Sequence, residues 1–464
     1  MNEPLRHKLF SVYGQILSER VLREAWERVR ANRGACGVDG VTIARFEEDL
    51  DGNIASLLAD LRAKTYRPSP VRRAYIPKKN GRRRPLGIPT LRDRIVQQAL
   101  VMRMQPFFEA NVFHRDSCGF RPGMGAEDAL KKVMWNLETG CRYVYDLDIK
   151  GYFDNIPHKN LMRALNKYVS DGTVLDLIWR SLKAGYMEDG VTYETAAGTM
   201  QGGVISPLLA NVYLNELDWE LDKAGLRFVR YADDCIVMCR DESELERAVI
   251  VVGETIEGLG LELSQEKTYV VDARGGEFDY LGFTFRGWGG EGGAWRYFVA
   301  PTDASLRKFK SDVKAMTRKT YSKSFEQWAR ALNPVLRGKF GYFLAANRAV
   351  RDVWEECRRR GMRFHGRAKR TYQQLDAYVR QRLRVNFANR GRRHAGQRDA
   401  RMLTVKYGNA FFLREMGLVS GQYMADRLRD PSLTMDGFLA RPQKRRRWRS
   451  DAKTQRFFEF AYAR

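Results

Sequence analysis

FVRYADDCIVM, residues 228–238, sets strand-forming residues on both sides of two adjacent carboxylates, Asp233 and Asp234. The alternation predicts two strands joined by a tight turn with the acidic pair at its tip. Such tips favour Asn-Gly or Asp-Gly, and two carboxylates side by side repel each other unless a cation is present. A second acidic stretch, DIKGYFD at residues 148–154, places Asp148 at the end of a strand read over residues 143–149, with Phe153 five positions later. Taken singly, each Asp reads as a turn residue capping a backbone group. A chance match to Tyr-any-Asp-Asp in a chain of this length occurs at roughly a few per cent. The order and company of the motifs carry more weight than either one.

The rest of the composition narrows the class of protein. The chain has 464 residues, enough for two to four packed units. Its 81 Lys and Arg against 56 Asp and Glu leave a formal charge of +25, which opposes compaction unless a polyanion neutralises it. Nucleic acid is the expected partner; no apolar run approaches the length of a membrane span. The six cysteines have neither zinc-site nor disulfide-framework spacing and read as reduced cytosolic thiols. The opening MNEPLRHKLF lacks the apolar stretch of a signal peptide, so a cytoplasmic protein is expected, associated with the bacterial nucleoid.

Along the chain, Phe46, Leu50, Ile54, Leu57 and Leu61 stripe one helical face, so residues 1–65 read as helical. Five prolines punctuate residues 66–90, where a hairpin is expected with a basic turn at 78–84. Asp93 to Phe108 reads as a helix stopped near Pro106. After FDYLGFTF, residues 278–285, a Gly-rich loop spans 287–293, and a domain boundary is placed near Pro301 before a basic helical region. The run RPQKRRRWRS, residues 441–450, reads as a solvated tail or a nucleic-acid contact through Trp448.

Around the two acidic motifs stand RRRPLGIPTLRDRIVQQAL (82–100), CGFRPGMGAEDAL (118–130), QGGVISPLLANVYLNELD (201–218), LELSQEKT (261–268) and FDYLGF (278–283). In this order, over residues 30–345, the chain resembles the reverse transcriptases encoded by bacterial group II introns; LNPVLRGKFGYF, residues 332–343, resembles that family's thumb signature. The resemblance implies an α+β right-hand polymerase: fingers, a palm with an antiparallel sheet, then an α-helical thumb that doubles as the maturase domain. The implied division is an N-terminal extension and template lid over 1–65, fingers over 66–145 with part of 155–200, palm over 146–300, thumb over 301–385, and a basic nucleic-acid-binding region over 386–464.

The resemblance also implies an RNA-directed DNA polymerase that extends a DNA or RNA primer on an RNA template with dNTPs. Two Mg²⁺ ions, replaceable by Mn²⁺, would be held by Asp148 and Asp233 as bridging ligands, with Asp234 peripheral and the Ile149 carbonyl on the nucleotide-side ion. Lys78 and Arg84 match the residues that hold the triphosphate, although three arginines at 82–84 also read as a solvated hairpin. Phe153 matches the aromatic beneath the sugar that selects deoxynucleotides, with core packing the rival reading. Gln201 and Gly202 match the contact near the nascent base pair, and a plain turn is the alternative. Arg121 matches a template-phosphate contact, and Lys267 a palm residue approaching the active site; both read equally as surface ion pairs. Arg337, Lys339 and Tyr342 match thumb contacts to the primer-template, against snorkelling side chains on a packed helix. The GVDG loop, residues 37–40, matches the lid over the template, while Asp154 reads as a helix cap.

Family members that cut DNA carry a C-terminal endonuclease rich in His and Cys pairs. Here His365, His394 and Cys357 stand without such pairs, so no endonuclease domain is expected. Group II intron RNA is the implied further partner, for splicing assistance and retrohoming. The rival readings are a free-standing enzyme of DNA repair or phage defence, a splicing factor with a decayed polymerase, and a two-metal nuclease.

Overall fold

The computed structural model describes residues 8–77, 83–199, 201–289, 295–318, 323–359, 369–388 and 407–441. The chain separates into two units: residues 1–305 with 345–366, and residues 306–344 with 367–464.

The first unit is built around an antiparallel sheet. Strands β1 (Val71–Pro77) and β2 (Arg83–Ile88) form the expected hairpin, and β3 (Tyr143–Leu147) follows after two helices. β4 (Tyr186–Glu188) and β5 (Val191–Tyr193) extend the hairpin into a small sheet in the order β2-β1-β4-β5. β6 (Arg227–Tyr231) and β7 (Asp234–Cys239) pair with β3 and β8 (Tyr269–Asp272) in the order β6-β7-β3-β8. β9 (Glu277–Tyr280), β10 (Phe283–Trp288) and β11 (Arg296–Pro301) make a third, antiparallel sheet.

Alternation along the central strands sends side chains into two cores, one on each face. Tyr145, Leu147, Cys235 and Val237 join the core that includes the helix Ser206–Lys223, whereas Val144, Val229, Ile236 and Met238 join a second core. That second core contains the helix Ala126–Glu138, the β9–β11 sheet, with Phe278 stacked on Phe285 at 5.0 Å, and residues 345–357 of a long helix, Phe325–Arg359. Burial on both faces makes the central strands β3 and β7 mostly apolar, Asp146 and Asp234 excepted, and this isolates any polar residue within them.

The second unit has a separate core of Phe309, Trp328, Leu332, Leu336, Phe340 and Tyr372 from its helices. Arg337 and Tyr342 lie on the exposed side of the same helix, with Lys339 half-buried, because Leu332, Leu336 and Phe340 take the inward positions. Among the described residues no helix is long and apolar enough to cross a membrane.

Within the segment 301–385, residues 345–366 belong to the first unit: Ala345, Ala346, Ala349, Val353 and Cys357 pack into its core, where Arg348 and Asp352 pair with Glu127 and Lys131. Two expectations from sequence need correction. The apolar stripe from Phe46 to Leu61 belongs to two helices, Ile43–Glu47 and Leu50–Arg62, since Asp49 turns its side chain onto the Gly52 N–H and starts the second. The helix expected to stop near Pro106 runs from Leu91 to Asn111 with Pro106 inside it. Nearly every residue from Ile95 to Leu100 is buried, and such packing outweighs one missing backbone bond. Because Pro106 itself is exposed, Pro106→Ala is expected to stabilise the protein by about 1–2 kcal/mol in urea unfolding.

Candidate active site

β3 lies between β7 and β8, and its register pairs Leu147 with Cys235. Asp148 therefore emerges beside the start of β7, at the turn that joins β6 to β7 through Ala232 and Asp233. Asp148 and Asp233 line one cleft of about 580 Å³ with Ile149, Phe153, Asp154, Arg84, Gln201 and Lys267. Lys78 and the run 442–450 lie outside the described residues, as do His365 and His394.

The segment that leads into β8 fixes the end of β3. The Ser264 N–H donates to the Asp148 carbonyl at 2.7 Å, and the Lys150 N–H donates to the Glu262 carbonyl at 2.8 Å. Ile149 faces Leu263 between these bonds, so its own carbonyl turns away from that segment. Lys267 Nζ donates to Asp148 Oδ2 at 2.8 Å.

Negative charge is concentrated here. Although Asp234 reaches the surface, crowding of its carboxyl by protein, followed by the charges of Asp146, Asp233 and Asp148, pushes its pKa up to about 7. Burial likewise raises Asp146 to about 6, against the lowering effect of its bond from Tyr269. As they stand, no three His, Cys, Asp or Glu side chains among the described residues are gathered closely enough to hold a metal. The excess of carboxylates over neutralising groups is nonetheless the donor chemistry that suits a hard divalent cation.

The turn carrying Asp233 is strained, since Ala232 has a φ of +62°, a conformation that costs an L-residue about 1–2 kcal/mol. Three distant segments hold it. Arg230, wholly buried, is paired with the equally buried Asp218, with Nε to Oδ1 at 2.7 Å. Its Nη1 donates to the Ala232 carbonyl at 2.8 Å and to Asn211 Oδ1 at 2.9 Å. Burial alone would lower the Arg230 pKa, but the charge and hydrogen bonds of Asp218 outweigh it and hold it above its ordinary value. Asn211 Nδ2 donates in turn to the Gly119 carbonyl at 2.8 Å. Gly119 has no room for a side chain: a Cβ there would stand 2.1 Å from the Ala232 nitrogen. From the other face, the Tyr280 hydroxyl donates to the Val229 carbonyl at 3.2 Å. QGGVISPLLANVYLNELD, CGFRPGMGAEDAL and FDYLGF thus meet on one turn.

Sequence reasoning missed Arg230, Asn211, Asp218 and Tyr280 as supports. A signal was present: Arg230 is a charge set among Phe228, Val229 and the apolar run 235–238, and Asn211 and Asp218, two helical turns apart, share with Asn215 a buried face of a helix rich in Leu and Val.

One site expectation is corrected. Arg121 is buried and committed, to Glu109 Oε2 at 2.7 Å and to the His114 and Ser117 carbonyls at 2.7 and 2.9 Å, so it staples its own loop and does not face a phosphate. Gly202, with φ +110°, is required by β2: a Cβ would stand 2.5 Å from the Gly87 carbonyl oxygen, and the Gly87 N–H donates to the Gln201 carbonyl at 2.7 Å. The loop holding GVDG is pinned to the same region, where Arg72 donates to the Cys36 carbonyl at 2.8 Å and Arg94 bonds the Ala35 carbonyl.

Residues 76–285 match the family description "Reverse transcriptase (RNA-dependent DNA polymerase)", and residues 306–367 match "Group II intron, maturase-specific domain". Protein YkfC of Escherichia coli strain K12 is 35% identical over 302 residues, 56% of this chain and 79% of that protein. The chain belongs to the group II intron-like reverse transcriptases. The group II intron-encoded protein LtrA of Lactococcus lactis is 38% identical over 228 residues, 48% of this chain and 37% of LtrA. The retron Mx65 reverse transcriptase of Myxococcus xanthus is 27% identical over 261 residues, 53% of this chain and 59% of that one. As a member of this family the chain is an RNA-directed DNA polymerase, and its fold is the α+β arrangement expected of one. The reverse transcriptase family as a whole uses divalent metals.

Two outcomes are expected for this reverse transcriptase. Removing one partner of the buried pair with Asp218→Ala strands the Arg230 charge and costs about 3–5 kcal/mol in urea unfolding, whereas the double variant Arg230→Met/Asp218→Leu costs less. Because the Asp234 pKa is raised on folding, its stabilising contribution is present below about pH 4 and lost as pH climbs through about 7. In chelator, the wild type should therefore lose more stability between pH 5 and pH 7.5 than Asp234→Asn does.

Proposed function

We propose that this chain extends a primer on an RNA template, and on a DNA template as well, by two-metal nucleotidyl transfer centred on Asp148, Asp233 and Asp234, and that it binds group II intron RNA to assist splicing and retrohoming. One observation carries the chemical part: Asp148 and Asp233 share a single cleft with Arg84, Phe153 and Gln201. In the reaction the primer 3′ oxygen forms a bond to the α-phosphorus of the incoming dNTP, the bond to the bridging oxygen breaks, pyrophosphate leaves, and the hydroxyl proton passes to water.

Divalent ions, when bound, neutralise the charge developing on the phosphates and make the 3′ oxygen a better nucleophile. Asp148 and Asp233 would hold them, with Asp234 at the margin and the Ile149 carbonyl as a further donor. Arg84 suits the triphosphate, because a guanidinium binds phosphate oxygens two at a time. Lys78 is proposed as its partner cation. Phe153 presents a ring to the same cleft, where it would collide with a ribose 2′ hydroxyl. Lys267, bonded to Asp148, supplies a positive charge beside the carboxylates until cations and nucleotide bind. Arg337, Lys339 and Tyr342 are proposed to contact the primer-template, and the basic excess of the chain suits RNA.

Asp233→Ala is expected to lower primer extension on RNA by at least about a thousandfold, given the size of charge-stabilisation effects, while RNA binding in a filter assay changes less than threefold. Extension at a wild-type rate would remove Asp233 from the metal site.

A further inference from the structure

Phe120, in the CGFRPGMGAEDAL segment, has a backbone and an exposure that core packing does not explain. Its φ is +59°, in the left-handed region that bulky residues avoid, and the residue is 45% exposed. A half-exposed aromatic ring in a strained conformation adds little to stability, and strain of this kind persists where the surrounding structure imposes it. The surroundings do impose it. The Cys118 N–H donates to the Arg230 carbonyl at 2.8 Å, the Gly119 carbonyl accepts from Asn211 at 2.8 Å, and Gly119 is pressed against the Ala232 backbone. Phe120 is thus carried by the same frame that holds the turn of Asp233.

What that frame aims at is Phe153. The two rings meet edge to face, with centroids 6.1 Å apart and planes at 81°. On another side Phe153 meets Tyr152, at 5.4 Å and 70°, and Tyr152 is itself fixed by its hydroxyl donating to the Ala210 carbonyl at 2.6 Å. The Phe153 carbonyl accepts from the Thr199 N–H at 2.8 Å, which fixes the backbone but leaves the ring to its neighbours. Phe153 lines the cleft, and Phe120 braces it from outside the lining.

We propose that Phe120 is a positioning residue for sugar selection, holding the Phe153 ring where it excludes a 2′ hydroxyl. The proposal rests on the reading of Phe153 as the residue beneath the sugar. Without the Phe120 ring, the Phe153 ring can tip towards the vacated space, and a ribonucleotide then fits with less repulsion. The frame also ties sugar selection to the turn that carries Asp233, through Asn211 and Gly119.

Single-nucleotide incorporation on an RNA template, measured as the ratio of kcat/KM for a dNTP to that for the matching rNTP, tests this. Phe120→Ala is expected to lower the ratio about tenfold, mainly by raising kcat/KM for the rNTP. Phe120→Tyr keeps the aromatic ring and should restore the wild-type ratio. Phe153→Ala should lower the ratio by more, and adding Phe120→Ala to it should lower it no further. If Phe153→Ala relaxes selection while Phe120→Ala leaves the ratio unchanged, the proposal is overturned and the sugar reading of Phe153 stands. If Phe153→Ala itself leaves the ratio unchanged, that reading falls and this proposal with it. A further loss on adding Phe120→Ala to Phe153→Ala would show that Phe120 meets the nucleotide directly, which also overturns the proposal. Should Phe120→Ala not fold, Phe120→Leu, which removes the ring edge but keeps bulk, is measured in its place against the same outcomes.

Discussion

The buried ion pair between Arg230 and Asp218 is the constraint on which the architecture of the site depends. Taking both charges out of water carries a large desolvation penalty, which their attraction offsets only with good geometry and with every remaining donor satisfied. The structure comes close to that condition: four of the five guanidinium N–H groups bond two carboxylate oxygens, the Asn211 side chain and the Ala232 carbonyl. A pair of packed apolar residues would fill the same space, but it would supply no donor for a carbonyl in a left-handed turn. The pair thus converts an energetically strained backbone into a fixed one, and that backbone carries Asp233.

The same frame reconciles an acidic centre with a strongly basic chain. Asp146, Asp148, Asp233 and Asp234 lie around the end of one sheet, and burial first, with their mutual repulsion adding to it, raises the pKa of Asp234. Lys267 relieves part of it. The carboxylates are fixed by strands that are buried on both faces, so the repulsion cannot be relaxed by moving them apart. Such preorganised negative charge is suited to divalent cations, while the positive excess elsewhere suits the polyanion that the reaction copies.

Much of this was legible in the sequence, for reasons that can be named. Strand alternation around residues 233–234 fixed the hairpin, and the apolar run before Asp148 marked a second strand, because both patterns follow from burial on known faces. What could not be read were effects of tertiary contact on residues whose local chemistry allows several roles. Arg121 has the features of a phosphate ligand, yet it is absorbed by Glu109 and two carbonyls of its own loop. Gly202 reads as bare backbone near a base pair, but the close approach of Gly87, which also requires glycine there, could not be foreseen. Pro106 suggested a helix end, but the buried length of the helix overrides it. The motifs were recognisable as a set before their reason for being a set was: three of them exist in good part to hold one turn.

The claim at the centre of this account is that Asp148 and Asp233 share divalent cations. Anomalous diffraction from crystals of the protein with primer-template, a non-hydrolysable dNTP and Mn²⁺ addresses it directly. Two Mn²⁺ peaks about 4 Å apart within reach of both carboxylates are expected. Peaks elsewhere, with Asp148 still bonded to Lys267 and Asp233 free of metal, would contradict it.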